Sequence, residues 1–231
     1  MPAAPLSVGA LTRADLAGAV SGFIKKGAWN KADILLAELA EGRFAVKDYV
    51  AKSAPVRWVG RLQLAREERA YRRLSGVSGV PRFAKRLDAD AIIIEYVGGI
   101  RLPKYHRRHG GVPRVAQRIK ELLDDVHARG IIHGDLRSRD NILVTPGGTL
   151  YLIDFSSASV FTRGSWSGRV LFPRLCRAEE RALLKWKVAL APGDLTPEDL
   201  SEHRRFKRLR RLWPFNRKKD LPRTRGRNPL L

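Results

Sequence analysis

The stretch from Ile131 to Asp154 restricts this chain more than any other part of it. Ile131-Ile-His-Gly-Asp135 ends one apolar run in a carboxylate, and Asn141-Ile-Leu-Val144 opens another. Leu150-Tyr-Leu-Ile-Asp154 then returns from a Pro-Gly-Gly turn at 146–148 to a second carboxylate. Short apolar runs rich in β-branched residues, bounded by turn residues, predict a β-hairpin. That hairpin gathers Asp135, Asn141 and Asp154 at one end. Three oxygen-bearing side chains so placed have the chemistry of a hard-cation site with a carboxylate base beside it.

The remaining segments surround that hairpin with an α+β pattern. A weak period over Thr12–Phe23 predicts a short helix, and Asp33–Leu39 and Arg43–Val50 read as two strands joined by Ala-Glu-Gly. Val59–Leu74 predicts a helix closed by Ser75 and Gly76. Val80–Val97 predicts two more strands about an Asp88-Ala-Asp90 turn. The first half is thus expected to be a small antiparallel sheet with one helix laid on it. Gly98-Gly99 breaks the chain, and Pro113 opens an amphipathic helix with Val115, Ile119, Leu122, Leu123 and Val126 at helical spacing and Gly130 at its end. Ala178–Leu190 reads as helical, and Thr196-Pro197 begins a further helix. The expected division is an N-terminal extension over 1–30, a sheet-rich lobe over 31–97, a helical lobe over 98–202 and a basic, partly disordered tail over 203–231.

Composition narrows the setting. Hydrophobic residues at 44% and charged residues at 29% of 231 exclude wholesale disorder. The lone Cys176 excludes an internal disulfide and a Cys-based zinc site, and is expected to be inert. No apolar run reaches the roughly 20 residues a membrane span needs. The Met-Pro-Ala-Ala-Pro start lacks the layout of a secretory signal, so a soluble protein of a reducing cytoplasm is expected. The net charge is +22, and from His203 to Leu231 twelve basic residues face one acid. Arg204–Phe215 alternates basic residues with Phe206, Leu209, Leu212, Trp213 and Phe215. That pattern predicts an interfacial helix holding the protein at an anionic membrane. Nucleic acid is the lesser expectation, since charge alone speaks for it.

The ordered set of chemical residues resembles a known family. His133-Gly-Asp135-Leu, Asn141-Ile-Leu-Val and Leu152-Ile-Asp-Phe155 are similar to the catalytic loop and metal-binding segment of the protein-kinase-like fold. The likeness is to its compact bacterial branch: lipopolysaccharide core (Kdo/heptose) kinases, with their RIO-like and aminoglycoside-kinase-like relatives. Phe44-Ala-Val-Lys47 is similar to the family's Val-Ala-Ile-Lys strand. Alternation puts Ala45 and Lys47 on one face. Glu67 falls on the helical stripe of Leu64, Tyr71 and Leu74, while Glu68 points about 100° away. Ala91-Ile-Ile-Ile-Glu95-Tyr-Val97 resembles the inter-lobe hinge.

The resemblance implies a reduced two-lobed kinase-like fold and ATP-dependent phosphoryl transfer to a hydroxyl, on a glycolipid sugar or a protein Ser/Thr. Asp135 is then the base, Lys47 (held by Glu67) grips the nucleotide phosphates, and Asn141 and Asp154 hold Mg²⁺. Ala45 and the backbone at Glu95 and Val97 meet the adenine. Four departures are evident. The asparagine comes one place later than usual, leaving Asp140 as a rival ligand, and Ser156 replaces the glycine of Asp-Phe-Gly. Lys26-Gly-Ala-Trp-Asn30, read as preceding the first strand, is a poor phosphate loop, and no Ala-Pro-Glu element follows. A catalytically weak pseudokinase that binds polyanions or membranes is the alternative.

Overall fold

The computed structural model describes residues 7–110, 112, 114–136, 138–162, 164–190, 195–201 and 204. A four-residue helix, α1 (Leu16–Ala19), leads into strand β1 (Val20–Lys25). Strands β2 (Asp33–Leu39) and β3 (Gly42–Asp48) follow, then helix α2 (Ala54–Arg73), β4 (Phe83–Arg86) and β5 (Ala91–Glu95). The five strands form one antiparallel sheet in the order β1-β2-β3-β5-β4. Two expectations are corrected here. The helix predicted over Thr12–Phe23 is confined to α1, and Val20–Phe23 is strand, so the sheet starts before residue 31. The Ala- and Gly-rich run has no apolar stripe to dock as a helix, whereas Val20, Phe23 and Ile24 favour strand once β2 offers an edge. The register slips near Gly22 and between Phe23 and Lys25, the irregularity expected of glycine in an edge strand. Helix α2 also starts at Ala54 rather than Val59, with Pro55 in its first turn, where a missing N–H costs nothing.

Alternation sorts the sheet into two faces. Ala37, Leu39, Phe44, Val46, Ala91 and Ile93 form one buried cluster, capped by Leu11 and Leu16 of the N-terminal segment. The opposite face packs Ile92 and Tyr49 against Leu64 of α2. Asp90, in the β4–β5 turn, ties that helix down: Arg61 Nε donates to it at 2.8 Å and Arg57 bonds it as well. The two guanidiniums, Arg61 first, hold the Asp90 carboxyl well below the usual carboxylate range against the smaller opposing effect of burial. A depressed carboxyl pKa stabilises the fold above its ordinary value of 3.8 and loses that effect as pH falls toward the folded value. Asp90→Ala is therefore expected to cost about 2 kcal/mol at pH 7. The gap from wild type should narrow progressively below pH 3.8. Denaturant melts from pH 7 to pH 2 check this, and a constant gap would refute it.

Beyond Gly98-Gly99 the chain forms β6 (Ile100–Arg101), α3 (Leu102–His109), α4 (Val115–Ala128), β7 (Ile131–Ile132), β8 (Ile142–Val144) and β9 (Leu150–Leu152). Then come β10 (Ser159–Val160), α5 (Trp166–Val170) and α6 (Phe172–Leu190). The predicted hairpin is β8–β9, with β6 along its other edge, while β7 pairs with β10. The apolar stripe of α4 is buried throughout, against Leu150 and Leu152 and the Ala182 and Trp186 side chains of α6. Helices α3 and α5 escaped the sequence reading because both are short and largely polar. Helix α6 begins six residues before Ala178. Pro113 lies outside the described residues.

Residues from 195 form a separate unit. In it Thr196 N donates to Asp199 Oδ2 at 2.9 Å and Asp199 N donates to Thr196 Oγ1 at 3.2 Å, a reciprocal cap at a helix start. The interfacial helix and tail expected over 203–231 lie outside the described residues except for Arg204. Among the described residues no helix is long and apolar enough to cross a membrane. The class is α+β, as expected: a small antiparallel sheet followed by a helical part.

Candidate active site

Strand β3 turns Val46 into the buried cluster and Ala45 and Lys47 to the opposite face, where Lys47 lies between Ile34 and Ile92 across the sheet. Lys47 Nζ donates to Glu67 Oε2 at 2.7 Å and to Asp154 Oδ1 at 2.8 Å. Glu67 is 1% exposed on the buried stripe of α2. Glu68 points elsewhere and pairs with Arg72 at 2.9 Å and Arg86 at 3.4 Å. Burial works against the Lys47 ammonium and raises the Glu67 carboxyl. The two carboxylates prevail at Lys47, keeping it protonated well above its ordinary range. An ion pair at ~4 Å is worth about 4 kcal/mol at an effective dielectric of about 20. At Lys47 two such attractions exceed the cost of burying one ammonium, whereas at Glu67, which faces a single cation, burial prevails. Glu67→Gln should weaken Mg-ATP binding by about tenfold, since it frees the ammonium from one anchor. Glu68→Gln should leave it within about twofold, as expected for a more exposed pair. Titration calorimetry separates the two; equal losses would show that neither glutamate has a special role.

The loop after β7 is built around a buried histidine. His133 Nε2 donates to Ile153 O at 3.0 Å, and its Nδ1 accepts from Asp135 N at 3.2 Å, which assigns the neutral Nε2–H tautomer. Burial lowers its pKa, in agreement. The ring lies 4.8 Å from Phe155, which in turn meets Tyr71 of α2 edge-on at 5.1 Å. Gly134 takes φ +81°, and a Cβ there would come within 2.3 Å of Ser157 O, so only glycine fits. From behind, Glu179 of α6 accepts from Gly134 N at 2.7 Å and His133 N at 3.3 Å, and bonds His127 Nε2 at 2.9 Å. Sequence reasoning missed Glu179. The signal was there: with Ala182 and Trp186 it forms a buried stripe at i, i+3, i+7, the pattern that singled out Glu67.

Asn141 Nδ2 donates to Asp135 Oδ2 at 3.1 Å and to Asp135 O at 3.0 Å, and Asn141 O accepts from Ile153 N at 2.9 Å. Asp154, next along, reaches Lys47. Two side-chain groups, Glu67–Lys47–Asp154 and Asn141–Asp135, are therefore joined through the backbone at Ile153, which brings five predicted residues together. Asp140 turns away to Arg101 at 2.9 Å, which leaves Asn141 as the better-placed ligand. Asp154 holds a left-handed φ of +67°, braced by Ser156 Oγ, which donates to its Oδ1 at 2.8 Å. Burial would raise its pKa, but Lys47 and Ser156 hold it well below the carboxylate range, so it is an anion. With both Nδ2 hydrogens directed at Asp135, the Asn141 amide oxygen remains an acceptor. An Asp carboxylate and an amide oxygen are the hard donors Mg²⁺ takes, with phosphates completing the shell. Among the described residues no cluster of His, Cys, Asp and Glu makes a metal site by itself.

Glu95 ends β5 opposite Phe44, and its N–H donates to Arg82 O at 2.9 Å. Val97 follows on the linker to β6. The Lys26–Asn30 loop joins β1 to β2, rather than preceding the first strand. Gly27 N donates to Asp33 Oδ1 at 2.8 Å, and Lys52 bonds the same oxygen at 3.0 Å, so this glycine's amide is committed within the fold. Lys25 stands opposite Ile34, which stands opposite Lys47, and is thus a second cation on the same face. Cys176 is half-buried, and burial pushes its thiol up to about 11, away from reactivity.

The sequence profile of the RIO domain family matches residues 40–167, more than half of the chain, a span that includes Ala45, Lys47, Glu67, Glu95, Val97, Asp135, Asn141 and Asp154 and leaves out Glu179. A probable serine/threonine-protein kinase HAL5-like of Eremothecium gossypii is 49% identical over 57 residues, covering 23% of this chain and 8% of that protein. A probable serine/threonine-protein kinase PknB of Lactococcus lactis is 28% identical over 106 residues, covering 44% of this chain and 16% of that protein. The chain thus matches only a small part of the length of these relatives.

Proposed function

The chain belongs to the RIO domain family, within the protein-kinase-like superfamily, and from that premise we propose that it moves the γ-phosphoryl of ATP to a hydroxyl. The observation that carries the reading is the run Glu67–Lys47–Asp154, continued through Ile153 to Asn141 and Asp135. Asp135 orients the acceptor hydroxyl and takes its proton, and Lys47 grips the α- and β-phosphates from its seat on Glu67. Asn141 and Asp154 would hold Mg²⁺, which when bound would neutralise phosphate charge. Ala45 leaves room for adenine, with the backbone at Glu95 and Val97 along its edge.

The names of the relatives favour a protein Ser/Thr as acceptor over the sugar hydroxyl of a lipopolysaccharide-like glycolipid. The committed Gly27 amide favours the rival reading, a pseudokinase adaptor. Radiolabelled ATP with a cell extract, separated into protein, glycolipid and RNA fractions, tests both. Label is expected in protein, and is expected to vanish with Asp154→Ala. No ADP, no label and no Mg-dependent ATP binding would leave the adaptor reading. The cytoplasmic setting, with the basic tail over 203–231 held at an anionic membrane, is part of the same proposal. Sedimentation with anionic and neutral vesicles, with and without that tail, tests it.

A further inference from the structure

Between Glu95 and Glu121 the chain carries seven Lys and Arg residues and two His, and no acid. The centre of this stretch is α3. Leu102 is 1% exposed, and Tyr105 packs on the same core and stacks on His109 at 4.5 Å, so one face of the helix is fixed inward. Lys104, Arg107 and Arg108, at i, i+3 and i+4, stand together on the other face, all exposed. Among the described residues none of the three has a carboxylate within ion-pair distance. In the sheet-rich part Arg13, Lys52, Arg57, Arg61, Arg72 and Arg86 each have one, whereas among the described residues Lys25, Arg43, Arg66 and Arg69 do not; what sets α3 apart is that three such cations share one face in a stretch without any acid. Favourable interaction with the helix C-terminus accounts for a cation or two in the last turn. It leaves Lys104 and the want of any acid unexplained.

Position gives this face its meaning. Helix α3 packs against β8 and the turn Arg139–Asn141, and Arg101 at its start bonds Asp140, the neighbour of Asn141. An eight-residue helix is about 12 Å long, so charges along it lie within little more than one Debye length of the Arg139–Asn141 turn on which it packs. We propose that Lys104, Arg107 and Arg108 select the acceptor, and that it is a Ser or Thr in an acidic peptide segment. The inference rests on the phosphotransferase reading. In an extended peptide, side chains on one face recur about every 6.6 Å, close to the ~5–6 Å spacing of cations on one helix face. Acidic residues about two to four positions from the hydroxyl lie within reach, ~7–13 Å along the strand.

The test uses the full chain and three synthetic peptides with one Ser, flanked at those positions by Asp/Glu, by Asn/Gln or by Arg. Wild type should phosphorylate the acidic peptide with kcat/KM at least about tenfold above the neutral one, a preference two or three exposed charge contacts can supply. The charge-swapped variant Lys104→Glu/Arg107→Glu/Arg108→Glu should invert the order in favour of the Arg peptide. Its KM for ATP and its acceptor-free ATP hydrolysis should stay at wild-type values. Inversion is a result that a merely structural role for α3 would not produce. Equal use of the three peptides, retention of the acidic preference by the variant, or stronger labelling of glycolipid or RNA would overturn the proposal with the kinase reading intact. Failure of the kinase reading shows differently, as no Mg-dependent ATP binding by wild type. Fluorescence anisotropy of the same peptides then decides whether α3 binds acidic segments: selective binding lost in the variant upholds the recognition surface, and unselective binding overturns it.

Discussion

Asp135→Asn is expected to lower phosphoryl transfer about a thousandfold, within the usual range for loss of a general base, while Mg-ATP binding stays within about twofold. The substitution is nearly isosteric. Asp135 N still bonds His133 Nδ1, and the new amide can turn its oxygen toward Asn141 Nδ2, where Asp135 Oδ2 now accepts at 3.1 Å. The loop keeps its anchors at Gly134 and Ile153. What is lost is the ability to accept a proton from the acceptor hydroxyl. Lys47, Glu67 and Asp154 are untouched, so the nucleotide should still be held. Turnover measured with radiolabelled ATP and binding measured by calorimetry check the split. Undiminished turnover would remove Asp135 from the chemistry.

Glu179→Ala should cost about 3 kcal/mol, because it strands the buried N–H of His133 at about 1–3 kcal/mol and removes the carboxylate's bond from the more exposed Gly134 N–H at about 1.5–3 kcal/mol. For a chain of this size that is a fall of roughly 6–12 °C in Tm. The larger effect is expected in the reaction. With its rear clamp gone the loop carrying Asp135 can shift, and a misplacement of ~1 Å costs on the order of a hundredfold in rate. The KM for ATP should hardly move, because Lys47 is held by Glu67 and Asp154, neither of which Glu179 bonds. Glu179→Gln keeps a carbonyl oxygen that can accept from Gly134 N, the 2.7 Å bond, and should restore part of kcat. Assays at low temperature, with folding confirmed by circular dichroism, separate this positioning role from instability. Loss of kcat no greater than the loss of folded protein would show Glu179 to be structural only.

Glu179 and Glu67 mark where reading the sequence succeeded and where it stopped. Each is an acid on an apolar helical stripe. Glu67 was legible because Lys47, on a strand twenty residues earlier, supplied a reason for a buried charge. Glu179 has no cation to announce it; its partners are backbone N–H groups and a histidine brought to it by folding. The same division runs through the rest. The β8–β9 hairpin and the α2 and α4 stripes were readable because their periodicity is local. Strand β1 was not, since Val20–Lys25 becomes a strand only when β2 offers its edge. Ser156 read as a lost glycine, and proves to be a brace on Asp154.

By itself the sequence determined the α+β class, the ordered set Lys47, Glu67, Asp135, Asn141 and Asp154, and the large positive charge. Side-chain type and spacing are properties of the chain and survive without a fold. Only the tertiary structure decided that Lys47 is shared between Glu67 and Asp154, that Asn141 rather than Asp140 faces Asp135, and that Lys104, Arg107 and Arg108 have no carboxylate partner among the described residues, on a helix packed on the Arg139–Asn141 turn. Those are facts about which groups meet across tens of residues. Hydrogen bonds and ion pairs act over only a few ångströms, so they exist only once packing has set the distances.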